Sequence, residues 1–379
     1  MAFSFGMSKV NSTLYTIEKK VEAEDAAVKD DQEVTTFPKV PNFTLGQAGG
    51  FLQNQSPGKN RASKNEKRED AVLPLGATTL GSIWSPPLPS PWRNVTWTKE
   101  TKDTLMEMVK TYKPASDYVS EARVLLLGPV GAGKSSFISS VQSVFSGRVL
   151  NRAMVGSSSS TGFTKKSINS LQLQSFSIRA GREKTDGTTA LALCDVMGIG
   201  EGEMTGLTLH DALCVIQGHV PEGHQFVPEQ PVKSETSGYI KKPGLKDKVH
   251  CVVFVVDASK INTYSKVLSS TFQKLREHIS NLGVHQVALL THVDEVCKET
   301  SQDITHVYRS STVQQLMAKA GALLGMATSY IVPVKNYSAQ LELEESTDIL
   351  LLTAVDHILQ YVHLYFQDTA TECKRPFEA

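Results

Sequence analysis

Hydrophobic positions change character along this chain of 379 residues at about Ile83. Before it they are scattered without a sustained period, and Lys59 to Asp70 is almost wholly polar. Such a stretch cannot bury enough apolar surface to offset the entropy of ordering, so residues 1–82 are predicted to form a disordered tail. A short helix over Ser12 to Ala27 is the one element its pattern allows. From Arg123 onward, short apolar runs alternate with stretches of helical period. Val124 to Leu127 reads as a buried strand, and Phe137, Ile138, Val141, Val144 and Phe145 then recur at helical spacing, predicting a helix over Lys134 to Phe145. Strands are predicted within Ile168 to Ile178 and over Leu191 to Cys194, Val249 to Val256, Gln286 to Leu290 and Tyr330 to Val334. Val249 to Val256 (V-H-C-V-V-F-V-V) is the most hydrophobic and is predicted to lie centrally. Helices are predicted near Leu207 to Gln217, over Ser265 to Ile279, over Val313 to Leu324 with Gly325 as its stop, and over Ser346 to Phe366. The last carries Leu352, Val355, Leu359, Val362 and Phe366 on one stripe. Strand and helix in alternation predict an α/β fold, a mostly parallel central sheet with helices on both faces.

Ahead of this domain lies a leader containing all three tryptophans, Trp84, Trp92 and Trp97, among Pro86, Pro87, Pro89 and Pro91. The prolines keep it extended. The indoles are expected to clamp it onto the following domain; docking to a proline-recognition domain is the alternative. A helix follows from Thr98 to about Tyr112, with Leu105, Met108, Val109 and Tyr112 on one face, and Lys113-Pro114 ends it. The expected organisation is therefore a tail (1–82), a leader and helix packed on the core (83–120), the α/β domain (121–368) and a flexible C-terminus (369–379). Gly156 to Thr164 and the four-proline stretch Gly218 to Asp247 read as loops.

Lysines and arginines (39) equal aspartates and glutamates (39), which argues against a dominant nucleic-acid-binding surface. The cysteines, Cys194, Cys214, Cys251, Cys297 and Cys373, form no C-x-x-C pair, so neither a zinc nor a redox motif is indicated and a reducing cytoplasmic compartment fits best. No signal-peptide core is visible, Ala2 excludes myristoylation, and the longest apolar run, Cys251 to Val256, is too short to span a membrane.

The candidate chemistry lies between the first strand and its helix. Gly128, Gly133, Lys134 and Ser135 spell G-x-x-x-x-G-K-S, the pattern of a phosphate-binding loop, in the strand–loop–helix context it requires. Glycines let successive N–H groups turn inward onto a phosphate, and the helix N-terminus adds partial positive charge. The expected nucleotide contacts here are Gly128, Val130, Gly131, Ala132, Gly133, Lys134, Ser135 and Ser136. Lys134 would face the outer phosphates and Ser135 would ligate Mg²⁺. Asp195 to Gly198 is D-x-x-G at a strand end, where Asp195 can hold a Mg²⁺ water and the Gly198 N–H a γ-phosphate. Thr161 or Thr164 is the candidate switch threonine on the metal. Thr291 to Asp294 (T-H-V-D) stands where N/T-K-x-D would read a base. The Asp294 carboxylate matches the adjacent N1–H and N2–H₂ donors of guanine, while His292 departs from the usual Lys. The alternative is a strand-end turn in which Asp294 caps the next helix. Lys335 and Asn336 sit where a loop would back the base. The cofactors expected are therefore GTP or GDP with Mg²⁺.

Five stretches carry a family resemblance: P-W-R-N-V-T-W (Pro91 to Trp97), G-P-V-G-A-G-K-S-S-F (Gly128 to Phe137), D-V-M-G-I (Asp195 to Ile199), V-V-F-V-V-D (Val252 to Asp257) and T-H-V-D (Thr291 to Asp294). Over residues 83–368 the chain resembles the interferon-induced protein 44 and 44-like family. The resemblance implies a P-loop, small-GTPase-like domain, guanine-nucleotide binding, a cytoplasmic location and antiviral or growth-restraining roles in innate immunity. Family members often carry a TLDc-type domain ahead of it, for which residues 1–82 are too short and too polar. Ile199 stands where many small GTPases place a water-orienting Gln, and Val130 adds bulk where a partner's arginine would enter, so no catalytic residue is assigned and slow GTP hydrolysis, or none without a partner, is expected. Three functions follow: a GTP-dependent switch or slow GTPase, a nucleotide-binding scaffold without turnover, or an ATP-using P-loop enzyme such as a kinase. The protein partner is not legible, and a homo-oligomer stays open.

Overall fold

A computed structural model describes residues 87–150, 172–200, 206–227 and 229–372. The tail, Trp84, Pro86, the loop from Gly156 to Thr164 with both candidate switch threonines, and Cys373 lie outside the described residues. The described residues belong to one unit, 78–379.

Six strands form one sheet: β1 (Ala122–Leu127), β2 (Gln174–Arg179), β3 (Thr188–Asp195), β4 (Cys251–Asp257), β5 (His285–Thr291) and β6 (Ile331–Pro333), in the order β2-β3-β1-β4-β5-β6. All neighbours are parallel except β2, which runs antiparallel at the edge. Strand β4 is central, as expected. All seven of its residues are buried, because a parallel strand covered on both faces needs a continuous run of Val and Phe.

The helices are α1 (Lys99–Thr111), α2 (Lys134–Ser146), α3 (Leu209–Ile216), α4 (Lys266–Asn281), the single-turn α5 (Lys298–Gln302), α6 (Ser311–Leu324) and α7 (Glu345–Glu372). Helices α1, α2 and α7 pack together on one face, and α3, α4 and α6 on the other. Local chemistry sets their ends. Thr98, Thr208, Ser265 and Ser310 each accept a backbone N–H at an N-cap. Gly325 closes α6 at φ 63°, as its position predicts.

Three expectations need correction. On α1, Met106 packs against the core and Met108 is exposed, because Val109 rather than Met108 centres the buried face. Helix α7 buries more than one stripe: Ile349, Leu350, Leu351, Ala354 and Ile358 are enclosed beside the expected Leu352 and Val355, since the helix packs on β4, β5 and β6 and also against helices α1 and α2. It is therefore apolar and long enough to cross a membrane by length and composition, although no unbroken apolar run marks it; 61% of its most apolar window is buried inside the fold. Finally, β3 starts at Thr188 rather than Leu191, drawn out by antiparallel pairing with β2.

Two leader tryptophans, Trp92 and Trp97, pack against the core of the domain. Trp92 packs edge-on against Tyr308 at 5.0 Å between centroids, with Trp97 beside the same ring. The backbone N–H groups of Leu88 and Trp92 donate to Arg309 O (2.8 Å) and Tyr308 O (3.0 Å). The Arg93 guanidinium donates to Ile331 O (2.7 Å) and Thr328 O (2.6 Å). The four described cysteines are all buried and free.

His250, fully buried just before β4, yields a stability prediction. Its Nδ1 accepts the Arg123 N–H (2.9 Å), so Nε2 carries the proton and donates to Leu245 O (3.0 Å). A second proton would break the first bond, and burial pushes the imidazole from 6.5 down to about 4. The folded state therefore keeps His250 neutral while the unfolded chain protonates below pH 6.5. Its contribution is complete above pH 6.5 and declines as pH falls toward about 4, by about 3 kcal/mol at 1.36 kcal/mol per pH unit. Urea titrations at pH 7.5 and 5 should show about 2 kcal/mol of this loss in the parent and a smaller one in His250→Gln.

Candidate functional site

In a parallel sheet the C-terminal strand ends lie along one edge, and in an open α/β fold ligands bind there. Here the ends of β1, β3, β4, β5 and β6 bring Gly128, Asp195, Asp257, Thr291 and Val334 to that edge. The loop from Gly128 to Gly133 follows β1 and opens α2. Gly131 (φ 76°) and Gly133 (φ 92°) hold the left-handed backbone that favours glycine. At Gly128 a Cβ would run into Val255 O of the central strand. At Gly198 a Cβ would stand 2.6 Å from Val130 Cγ2 and 2.7 Å from Val130 N, so the D-x-x-G turn lies directly on the loop. The Ile199 N–H donates to Gly128 O (3.0 Å) and completes that contact.

Lys134, the first residue of α2, is buried, and its ammonium donates to Gly128 O (3.0 Å) and Pro129 O (3.1 Å). Burial lowers its proton affinity and the Asp195 charge opposes that loss. Asp195 is shifted the other way: burial raises its pKa, against Lys134, the Ser135 hydroxyl and the Val196 N–H. Ser135 Oγ donates to Asp195 Oδ2. Thus Lys134 and Ser135 meet Asp195, 60 residues further along the chain than Ser135, in one polar cluster under the loop. Ser136 lies half-buried in the first turn, its carbonyl taken by Ser140 Oγ (2.7 Å). Val130 is 76% exposed at the loop's lip.

The T-H-V-D segment is tied to the same loop. Thr291 Oγ1 bonds Ala132 O (2.8 Å) and Val256 O (3.1 Å). His292 adopts φ 57°, alone among the described non-glycine residues in the left-handed region. That turn brings its Nδ1 to Thr291 Oγ1 (2.9 Å) and Asp257 Oδ1 (3.4 Å). Asp294 is half-buried, and its carboxylate makes no bond among the described residues. It does not cap the next helix: Cys297 is the N-cap of α5, with no side-chain cap bond. Asn336 Nδ2 donates to Gly133 O (3.2 Å) while its Oδ1 is buried with no partner among the described residues. Lys335 points elsewhere, its ammonium 2.7 Å from Glu344 Oε2, so Asn336 and not Lys335 meets the loop.

Two residues that sequence reasoning did not assign also stand here, Asp257 and Lys260. Asp257, 2% exposed, accepts from Ser259 N (2.9 Å) and Ser259 Oγ (2.6 Å), and its Oδ2 is 3.1 Å from Lys260 Nζ. Their signal was V-V-D at the end of the most hydrophobic strand. Ile199, on the D-x-x-G turn, is 3% exposed and belongs to the core cluster, an apolar side chain with no group to orient water. Among the described residues no group of three or more His, Cys, Asp or Glu side chains is placed to hold a metal ion.

Fold and site together define an α/β protein with a mostly parallel six-stranded sheet, whose glycine loop gathers a buried lysine, a serine–aspartate pair and a histidine-containing turn at one strand edge. No family model matches the chain. It is 37% identical over 274 residues to human interferon-induced protein 44 and 38% identical over 276 residues to human interferon-induced protein 44-like, each match covering 72% of this chain. Mouse interferon-induced protein 44 is 36% identical over 264 residues. By this homology the chain belongs to the interferon-induced protein 44 and 44-like family. The matches span only 59% of each human relative's length. Among solved structures, a crystal structure of a mutation variant of SsGBP aligns over 73% of this chain and 65% of its own at 11% identity and a TM-score of 0.22. A signal recognition particle receptor SRb-GTP/SRX complex from Chaetomium thermophilum aligns over 60% and 89% at 17% identity and a TM-score of 0.24. Likeness at that level carries no argument.

Proposed function

We propose that this chain is a P-loop, small-GTPase-like protein that binds GTP or GDP with Mg²⁺ at the Gly128–Ser135 loop, acting as a slow GTPase or GTP-dependent switch in the cytoplasmic, interferon-induced antiviral response. The observation that carries the reading is the convergence of Lys134, Ser135 and Asp195 beneath a glycine loop to which Thr291 of the T-H-V-D turn is bonded. The residues fit the ligand. The N–H groups of Gly131 and Gly133 donate to no described residue and are open to an anion, whereas the Pro129–Ile199 bridge ties Val130 to the D-x-x-G turn. Among the described residues the buried Lys134 ammonium is hydrogen-bonded only to carbonyl oxygens, with the Asp195 charge nearby, an arrangement that an added phosphate would complete. Mg²⁺ bound through phosphates takes few protein ligands: Ser135 would ligate it, Asp195 would hold one of its waters, and Thr161 or Thr164 would add a switch ligand. The immune setting rests on the relatives, whose names call them interferon-induced.

Bound Mg²⁺ and triphosphate would supply the charge to be neutralised; the chain's own part is positioning. No described side chain at the loop is placed to orient an attacking water. A single-turnover assay should therefore give hydrolysis on the order of 10⁻³ s⁻¹ or slower. Binding with no turnover at any protein concentration would favour the scaffold reading. Equal binding of ATP would favour the kinase-like one, against which Asp294 argues.

A further inference from the structure

Lys260 lies in the turn after β4, and nothing in the loop motif assigns it a role. Its ammonium is 3.5 Å from the position a Cβ would occupy on Gly131, the most exposed glycine position of the loop beside Val130. The side chain is 53% exposed, so the charge is hydrated on one side and rests on the loop on the other. It is held there by Asp257 Oδ2 at 3.1 Å. Asp257 is itself fixed by Ser259 and lies 3.4 Å from His292 Nδ1. An ammonium has three donors, and one carboxylate oxygen occupies one of them. Lys134 reaches the loop from beneath; Lys260 reaches it from the β4 side.

We infer that Lys260 is a second phosphate-binding cation of this site, supplied by the chain itself, with Asp257 as the arm that aims it. This rests on the nucleotide reading above. A cation at the loop's outer lip adds charge where Val130 restricts entry of a partner's side chain. Electrostatic stabilisation of phosphate oxygens by a preorganised cation is worth most where the donor is already held in place.

The bland alternative is that Lys260 only neutralises buried Asp257, and the two roles separate experimentally. Binding of GTP carrying a ribose fluorophore is measured on the full chain at several salt concentrations. Lys260→Met should weaken GTP about tenfold, the effect of about 1.4 kcal/mol, and flatten the salt dependence. Lys260→Arg should retain affinity within about threefold, since the charge is kept. The double variant Asp257→Asn/Lys260→Met removes both charges: it should stay as weak as Lys260→Met. Restored affinity in the double variant, or unchanged affinity in Lys260→Met, would overturn the inference while leaving the nucleotide site intact. Parent protein that binds no GTP would overturn the nucleotide reading and this inference with it.

Discussion

Replacing Lys134 by methionine should abolish GTP binding while leaving the nucleotide-free protein at least as stable as the parent. The two halves of this expectation share one cause. The Lys134 ammonium is buried against two carbonyl oxygens, with its carboxylate neighbour Asp195 already engaged by Ser135. Burial disfavours the charge, as the lowered proton affinity records. Methionine fills similar volume without a charge to desolvate, so the thermal midpoint should hold or rise. The phosphates, however, would lose a charge-assisted partner in a water-poor site, and contacts of that kind contribute about 1.5–3 kcal/mol each. With more than one such contact, the loss exceeds about a hundredfold in affinity. A site whose residue is costly in isolation and valuable only with ligand is the signature of function set against stability. A Lys134→Met protein that unfolds, or that binds GTP like the parent, would show that the residue is structural.

Asp294→Asn should weaken GTP by about 1–3 kcal/mol and improve binding of xanthosine triphosphate. The Asp294 carboxylate is half-buried and unengaged among the described residues, with both oxygens available. Guanine offers two adjacent donors; an amide in place of the carboxylate turns one acceptor into a donor and matches the carbonyl that xanthine presents instead. His292 makes this a demanding test. Its left-handed backbone and its bonds to Thr291 and Asp257 fix the turn from the protein side, where a lysine stem would otherwise pack along the base. If these contacts hold the turn rigid, discrimination should survive the replacement of the usual lysine by histidine, and the Asn variant should show the exchange of preference. Equal loss for both nucleotides would mean that Asp294 does not read the base.

The strands and helices were legible because the apolar periods of this chain are unambiguous: a run such as Cys251 to Val256 has one stable place, the middle of a covered sheet. The glycine loop was legible as a pattern because its backbone needs fix residue types at fixed spacing. What the sequence concealed was mutual position. Nothing in the order of residues says that Thr291 bonds Ala132, that Asn336 rather than Lys335 turns toward Gly133, or that Lys260 lies across Gly131. Those contacts join segments far apart along the chain and arise only when parallel strands bring their ends together. The wide apolar surface of α7 was hidden because interspersed Thr, Asp and His residues break its hydrophobic run.

The central claim is guanine-nucleotide binding at the Gly128–Ser135 loop, and equilibrium binding of radiolabelled GTP with unlabelled competitors tests it most directly. GTP should bind saturably in the presence of Mg²⁺, with GDP competing, ATP competing at least about tenfold more weakly, and binding lost in Lys134→Met. Absence of saturable binding, or ATP competing as well as GTP, would contradict it.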